Sequence, residues 1–155
     1  MAQTNVTLDP VAVKQLQERL AGFTETRALM ARIGRVMKTD TQMNFRRGQS
    51  PQGETWAPLK SRSGQPLRKT GRLMRSIDYQ ASDDEVVIGT NVKYGPTHQF
   101  GAVIRPKNGK LLRFKIGGRF VFAKKVTIPA RPFIGLAARQ LKKINESIDK
   151  WAESK

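Results

Sequence analysis

Two runs of apolar residues at helical spacing open the chain. Val13, Leu16, Leu20 and Phe23 form the first stripe, and Leu29, Met30, Ile33, Val36 and Met37 form the second, with Arg27, Arg32 and Arg35 turned outward. Asp9 before Pro10 predicts the first start, because an aspartate caps free N–H groups and proline lacks the N–H that a first turn leaves unpaired anyway. Gly22 predicts the first end, Thr24 the second cap, and Gly48 the stop after Phe45. The pattern fits either one bent unit or a hairpin of helices.

The period then disappears. From Gln49 to Pro66 the chain reads "QSPQGETWAPLKSRSGQP", a long loop by composition, and Trp56 in its middle predicts that burial of an indole pins part of it. "LRKTGRLMRSI" predicts a short helix capped by Thr70, with Leu67, Leu73 and Ile77 inward. Alternation follows. "SIDYQAS" and "DEVVIGT" flank an acidic turn at Asp83 and Asp84 and predict a hairpin, which "AVIRP", "KLLRFKIG" and "RFVFAKKVTIP" extend through turns at Asn108-Gly109 and Gly117-Gly118. Leu112, Phe114 and Ile116 alternate with Arg113 and Lys115, so that strand has an apolar and a cationic face, and Phe120 and Phe122 are expected to repeat the apolar pattern. Helical spacing returns in Phe133, Leu136, Leu141, Ile144, Ile148 and Trp151.

The order of helices, strands and helix predicts an α+β fold: a small antiparallel β-sheet flanked by N-terminal helices and a C-terminal helix, with a long Gly/Pro/Ser-rich loop. One domain over 1–155 is expected, with a helical part at 9–48, a β-rich part at 76–129 and the last helix at 132–151. No apolar stretch approaches the roughly 20 residues of a membrane helix. The first ten residues do not read as a secretory signal.

Charge changes the picture most. The 155 residues hold 29 Lys plus Arg against 12 Asp plus Glu, a net +17, which disfavours self-association without a counter-charge. From Val86 to Asn145 there is no acidic residue, while Lys93, Arg105, Lys107, Lys110, Arg113, Lys115, Arg119, Lys124, Lys125, Arg131, Arg139, Lys142 and Lys143 all fall there. A basic surface for a polyanion or an acidic protein is expected.

Candidate chemistry is thin. Without cysteine there is no disulfide, thiolate zinc site or thiol nucleophile, and one histidine with scattered carboxylates makes a poor metal set. No phosphate loop or nucleophile elbow is present, and Asp83, Asp84 and Glu85 read as a turn. His98, in "KYGPTHQFG", has no carboxylate or nucleophile near it in sequence, and the positive surroundings favour its neutral form. It reads as a packing or interface residue. Neither catalysis nor a cofactor, metal or small-molecule substrate is expected.

Three stretches in order, "LRKTGRLMRSI", "VVIGTNVKYGPTHQFG" and "IPARPFIGL", carry a resemblance. Together they resemble the virion morphogenesis, or tail completion, family of tailed phages, the group of the Mu-like G and P2-like S products, related to the neck proteins of long-tailed phages. The matching positions are Thr70, Gly71, Leu73 and Ser76; Gly89 to Gly101 with Tyr94, His98 and Gln99; and Pro129 to Phe133, with "GETWAPL" around Trp56 similar too. The resemblance implies a structural protein that completes the tail or neck and joins the head connector to a tail terminator or tail tube. It implies a homo-oligomeric ring, hexameric by preference, through which DNA passes, located in the virion and, during assembly, in the host cytoplasm.

On that reading Trp56, Tyr94, His98 and Gln99 are expected at the subunit interface. Arg105, Lys107, Lys110, Arg113, Lys115 and Arg119 are expected to meet a partner or DNA. Docking onto acidic partner rings is preferred, since a conduit that grips DNA would impede ejection. The alternative is a stand-alone nucleic-acid-binding protein in which Phe114, Phe120 and Phe122 stack on bases. Strand alternation places those rings opposite the charges and favours a core role.

Overall fold

The structure is a computed structural model that describes residues 10–154. Its helices are α1 (Pro10–Leu20), α2 (Arg27–Arg47), α3 (Arg72–Arg75), α4 (Gly95–Phe100) and α5 (Ala138–Ala152). Its strands are β1 (Ile77–Ala81), β2 (Val86–Thr90), β3 (Ala102–Ile104), β4 (Leu112–Ile116), β5 (Arg119–Ala123) and β6 (Val126–Ile128). This is the expected α+β class with helices at both ends.

Helix α2 organises the molecule. Its buried positions, Leu29, Met30, Ile33, Gly34, Met37, Asp40, Thr41, Asn44 and Phe45, repeat every three or four residues and serve two cores. Leu29, Ile33 and Met37 meet Ile144, Ile148 and Trp151 of α5, with Leu16, Leu20 and Phe23 closing over them. Phe23 sets its ring edge-on to Trp151 at 4.9 Å between centroids. At the other end Phe45 packs with Trp56, Leu73, Ile77, Val92, Phe133 and Ile134. Gly48, at φ 68°, ends the helix in the left-handed conformation and returns its N–H to Asn44 O.

Several boundaries differ from expectation. Asp9 lies outside the described residues. The residue at the start of α2 is Thr26, not Thr24, and its hydroxyl bonds Asp83 O, tying the helix start to the β1–β2 turn instead of capping its own N–H groups. At α3 the N-cap position belongs to Gly71, at φ 70°, and Thr70 Oγ1 accepts from Arg72 N at 3.3 Å. Helix α5 begins at Ala138, not at 132. Phe133 and Ile134 enter the core from extended chain, and Gln140 Oε1 accepts Ala137 N at 3.0 Å to start the helix.

The strands divide among three two-stranded antiparallel ribbons, β1–β2, β3–β6 and β4–β5, in place of one continuous sheet. Asn108-Gly109 does not join paired strands, because β3 takes β6, from the far side of the β4–β5 hairpin, as its partner. Gly117 and Gly118, at φ 55° and 82°, make the two-residue turn between β4 and β5. Every strand therefore keeps one side unpaired among the described residues. An alanine methyl at Gly34 would sit 2.2 Å from the Tyr79 ring, so this glycine lets α2 lie directly on β1.

Candidate functional site

His98 lies in the last turn of the short helix α4. Its carbonyl accepts Arg131 N at 2.7 Å, and its ring meets Tyr94 edge-on at 5.7 Å. Nδ1 is buried and makes no hydrogen bond. Burial first, and the Arg131 charge second, hold the imidazole below its ordinary pKa, so it is neutral near pH 7. The cleft beside it is lined by Leu59, Arg62, Leu67, Lys69, Tyr94 and Arg131, with no carboxylate to orient a base. Among the described residues no three His, Asp or Glu come together to hold a metal, and no helix is long and apolar enough to cross a membrane.

The motif residues around His98 work inside the chain. Gln99 is buried; its Oε1 accepts the N–H groups of Phe133 and Ile134 at 3.0 and 3.1 Å, and its Nε2 donates to Ile134 O at 2.8 Å. One amide thereby caps the extended segment that sequence reasoning assigned to a helix. Trp56 is buried too, donating Nε1–H to Pro132 O at 2.8 Å. Neither side chain has surface left for the neighbouring subunit at which both were expected. Tyr94 is exposed and His98 half-buried. Gly101, at φ 75°, would drive a Cβ to 2.9 Å from both Ala130 N and Ile128 O, which is why the chain leaves α4 for β3 through glycine.

Arg131 is not part of the basic surface. It is 5% exposed, and its guanidinium donates to Ala57 O at 2.8 Å and Pro58 O at 3.1 Å, lacing the long loop onto the body. Burial lowers its pKa. Gln65 fastens the far end of the loop by donating to Phe45 O and Arg46 O at 2.9 and 3.0 Å. Arg139 and Lys143 are also spent internally, on Asp40 of α2. Sequence reasoning missed Asp40 altogether; the only hint was a carboxylate on the buried side of an otherwise apolar helical stripe.

Several of the exposed cations lie on the β4–β5 hairpin or next to it in the chain. Arg105, Lys107, Lys110, Arg113, Lys115 and Arg119 are all exposed, and none is in an ion pair among the described residues. The cross-strand register overturns the expected faces. Arg113 stands opposite Phe122 and Lys115 opposite Phe120, so both rings share the cationic face. They are 50% and 59% exposed for Phe120 and Phe122 respectively. The Arg113 guanidinium carbon lies 3.8 Å from the Phe120 ring centroid, and Lys115 Nζ lies 4.9 Å from it. Phe114 alone follows the expectation, half-buried on the opposite face with Leu112, Ile116 and Val121.

The model of the phage virion morphogenesis family matches residues 9–153. The chain is similar to the Mu-like prophage FluMu G protein 2 of Haemophilus influenzae, 38% identical over 135 residues, covering 86% of this chain and 84% of that one. It is also similar to the tail completion protein S of Escherichia phage P2, 25% identical over 155 residues, covering 87% of this chain and 93% of the relative. No solved structure matches. With the family match running from the start of α1 to the end of α5, the chain belongs to the phage virion morphogenesis family.

Proposed function

We propose that this chain is a structural virion protein that completes the tail or neck and joins the head connector to the tail terminator or tail tube. The observation that carries this reading is the family match over 9–153, and the phage P2 relative is named for tail completion. The protein works as a ring, hexameric by preference, through which the genome passes, and it assembles in the host cytoplasm before residing in the virion neck. It needs no reaction.

Two features support self-assembly through strands. Each ribbon has open edges, which accept further strands by main-chain pairing. Tyr94, Phe100, Val103 and Ile104 are exposed in close succession along α4 and β3 and supply the apolar contact that Trp56 and Gln99 have no surface to make. A net charge of +17 opposes such a ring until acidic partners or DNA neutralise it.

Electron microscopy of particles made without this gene tests the reading. Filled heads beside unattached or malformed tails are expected. Normal virions would end it.

A further inference from the structure

We propose that the β4–β5 hairpin binds single-stranded nucleic acid across the face that carries Arg113, Lys115, Phe120 and Phe122. This goes beyond a joining role and does not depend on it, because it rests on the hairpin alone.

Two phenyl rings exposed by half or more, set among unpaired cations, form a surface with two unmet demands. The rings gain by leaving water, and the cations gain by meeting an anion. In the flanking chain Arg105, Lys107, Lys110, Lys124 and Lys125 add exposed charge, with no acidic residue between Val86 and Asn145 to neutralise it. That excess selects a polyanion.

Among polyanions, geometry selects the single strand. A duplex turns its base faces into its own stack and offers a phenyl ring only base edges, whereas a single strand presents base faces and phosphates side by side. On the hairpin the two demands are met side by side: each exposed ring has a cation directly opposite on the partner strand, and the Arg113 guanidinium carbon lies 3.8 Å from the Phe120 ring centroid. An acidic protein would satisfy the cations but would need an apolar socket among its carboxylates to receive the rings.

The opposite face of the hairpin is largely apolar, with Arg119 opposite Ile116 at the turn end. Leu112, Phe114, Ile116 and Val121 lie there half-buried, outside both main cores. The two faces therefore serve different purposes, one for protein packing and one for the strand.

The test uses the full chain and a fluorescent oligothymidylate of about 16 nucleotides, the upper end of the site sizes that stacking platforms cover. Anisotropy titrations are run at several salt concentrations, with a duplex of equal length and with unlabelled polyglutamate as competitors. The wild type is expected to prefer the single strand. Phe120→Ala with Phe122→Ala should weaken it by on the order of tenfold per ring while leaving the salt dependence unchanged. Phe120→Leu with Phe122→Leu, which keeps apolar bulk but removes the π-face, should lose most of the same affinity. Arg113→Gln with Lys115→Gln should lower the slope of log K against log salt by about 1.4. Arg35→Gln with Arg47→Gln, equal in charge but on α2, should leave the Phe-dependent part intact. The proposal is overturned by wild-type binding in the Phe variants, by equal affinity for the duplex, by displacement with polyglutamate as effective as with oligothymidylate, or by no binding at low salt. Melting curves of each variant separate these results from loss of fold.

Discussion

Replacing Asp40 by alanine removes the carboxylate on which three α5 side chains converge. Asp40 is 1% exposed and accepts Lys143 Nζ at 2.5 Å, Gln140 Nε2 at 2.6 Å and Arg139 NH2 at 3.3 Å. Removing one member of a buried ion pair costs about 3–5 kcal/mol because its partners stay desolvated. Here the Lys143 and Arg139 side chains are 40% and 30% exposed and can turn back to water, whereas Gln140, buried on α5, cannot. We therefore expect a loss of about 2–4 kcal/mol. At roughly 2–4 °C per kcal/mol for a chain of this size, the melting temperature should fall by about 5–15 °C, read by far-UV circular dichroism.

The pH dependence gives the same prediction a sign. Burial alone would raise the Asp40 carboxyl, but hydrogen bonds from Lys143 and Gln140 and the charges of Lys143 and Arg139 outweigh it and hold the group below its ordinary 3.8. The folded state then binds this proton less readily than the unfolded state does. Its contribution is fully present above the unfolded value and is lost as pH falls through the lower, folded one. The stability gap between wild type and Asp40→Asn should be flat from pH 7 to about 5 and should shrink below about 4. A melting temperature for Asp40→Ala within about 1 °C of wild type, or a gap that widens on acidification, would contradict this role for Asp40.

Gly34→Ala should destabilise by about 1–3 kcal/mol, since its methyl must displace the Tyr79 ring. In urea denaturation Tyr79→Ala should absorb most of that cost in the double variant, and full additivity would contradict the close packing. Gly101→Ala forces a positive φ and a clash with backbone, so amide exchange in β3 and β6 should accelerate ahead of that in β1 and β2; uniform change would speak against a local cause. Arg131→Gln should free the loop, giving faster tryptic cleavage at Lys60 and Arg62, and an unchanged digestion pattern would mean that other contacts hold it.

Local pattern made α1, α2 and the body of α5 legible, while the short α4 carries no stripe to read. The α2 stripe and its Gly48 stop could be read because each depends on residues a few positions apart. Non-local pairing could not. The β3–β6 pairing spans the whole β4–β5 hairpin, and nothing in Asn108-Gly109 distinguishes a turn between partners from a bend between strangers. Asp40 finds its partners about a hundred residues away, and Arg131 reads as one more surface cation until the loop carbonyls of Ala57 and Pro58 are seen against it. Loop laces of this kind leave no periodic trace.

The faces of the β4–β5 hairpin, by contrast, were recoverable by counting. A two-residue turn at Gly117-Gly118 places Ile116 opposite Arg119, hence Lys115 opposite Phe120 and Arg113 opposite Phe122. Alternation within the strand groups Phe120 and Phe122 on one face, and the register across the turn decides whether that face is core or surface. Of the residues expected at interfaces, Trp56 and Gln99 are buried and bind the extended segment through Phe133 to the body of the same chain.

A protein that joins head to tail must sit at their junction, and cryo-electron microscopy of intact virions bearing an epitope tag on it reveals its position. Fab density in a ring at the neck or tail end is the predicted result. Density elsewhere on the particle, or virions that contain none of the protein, would contradict it.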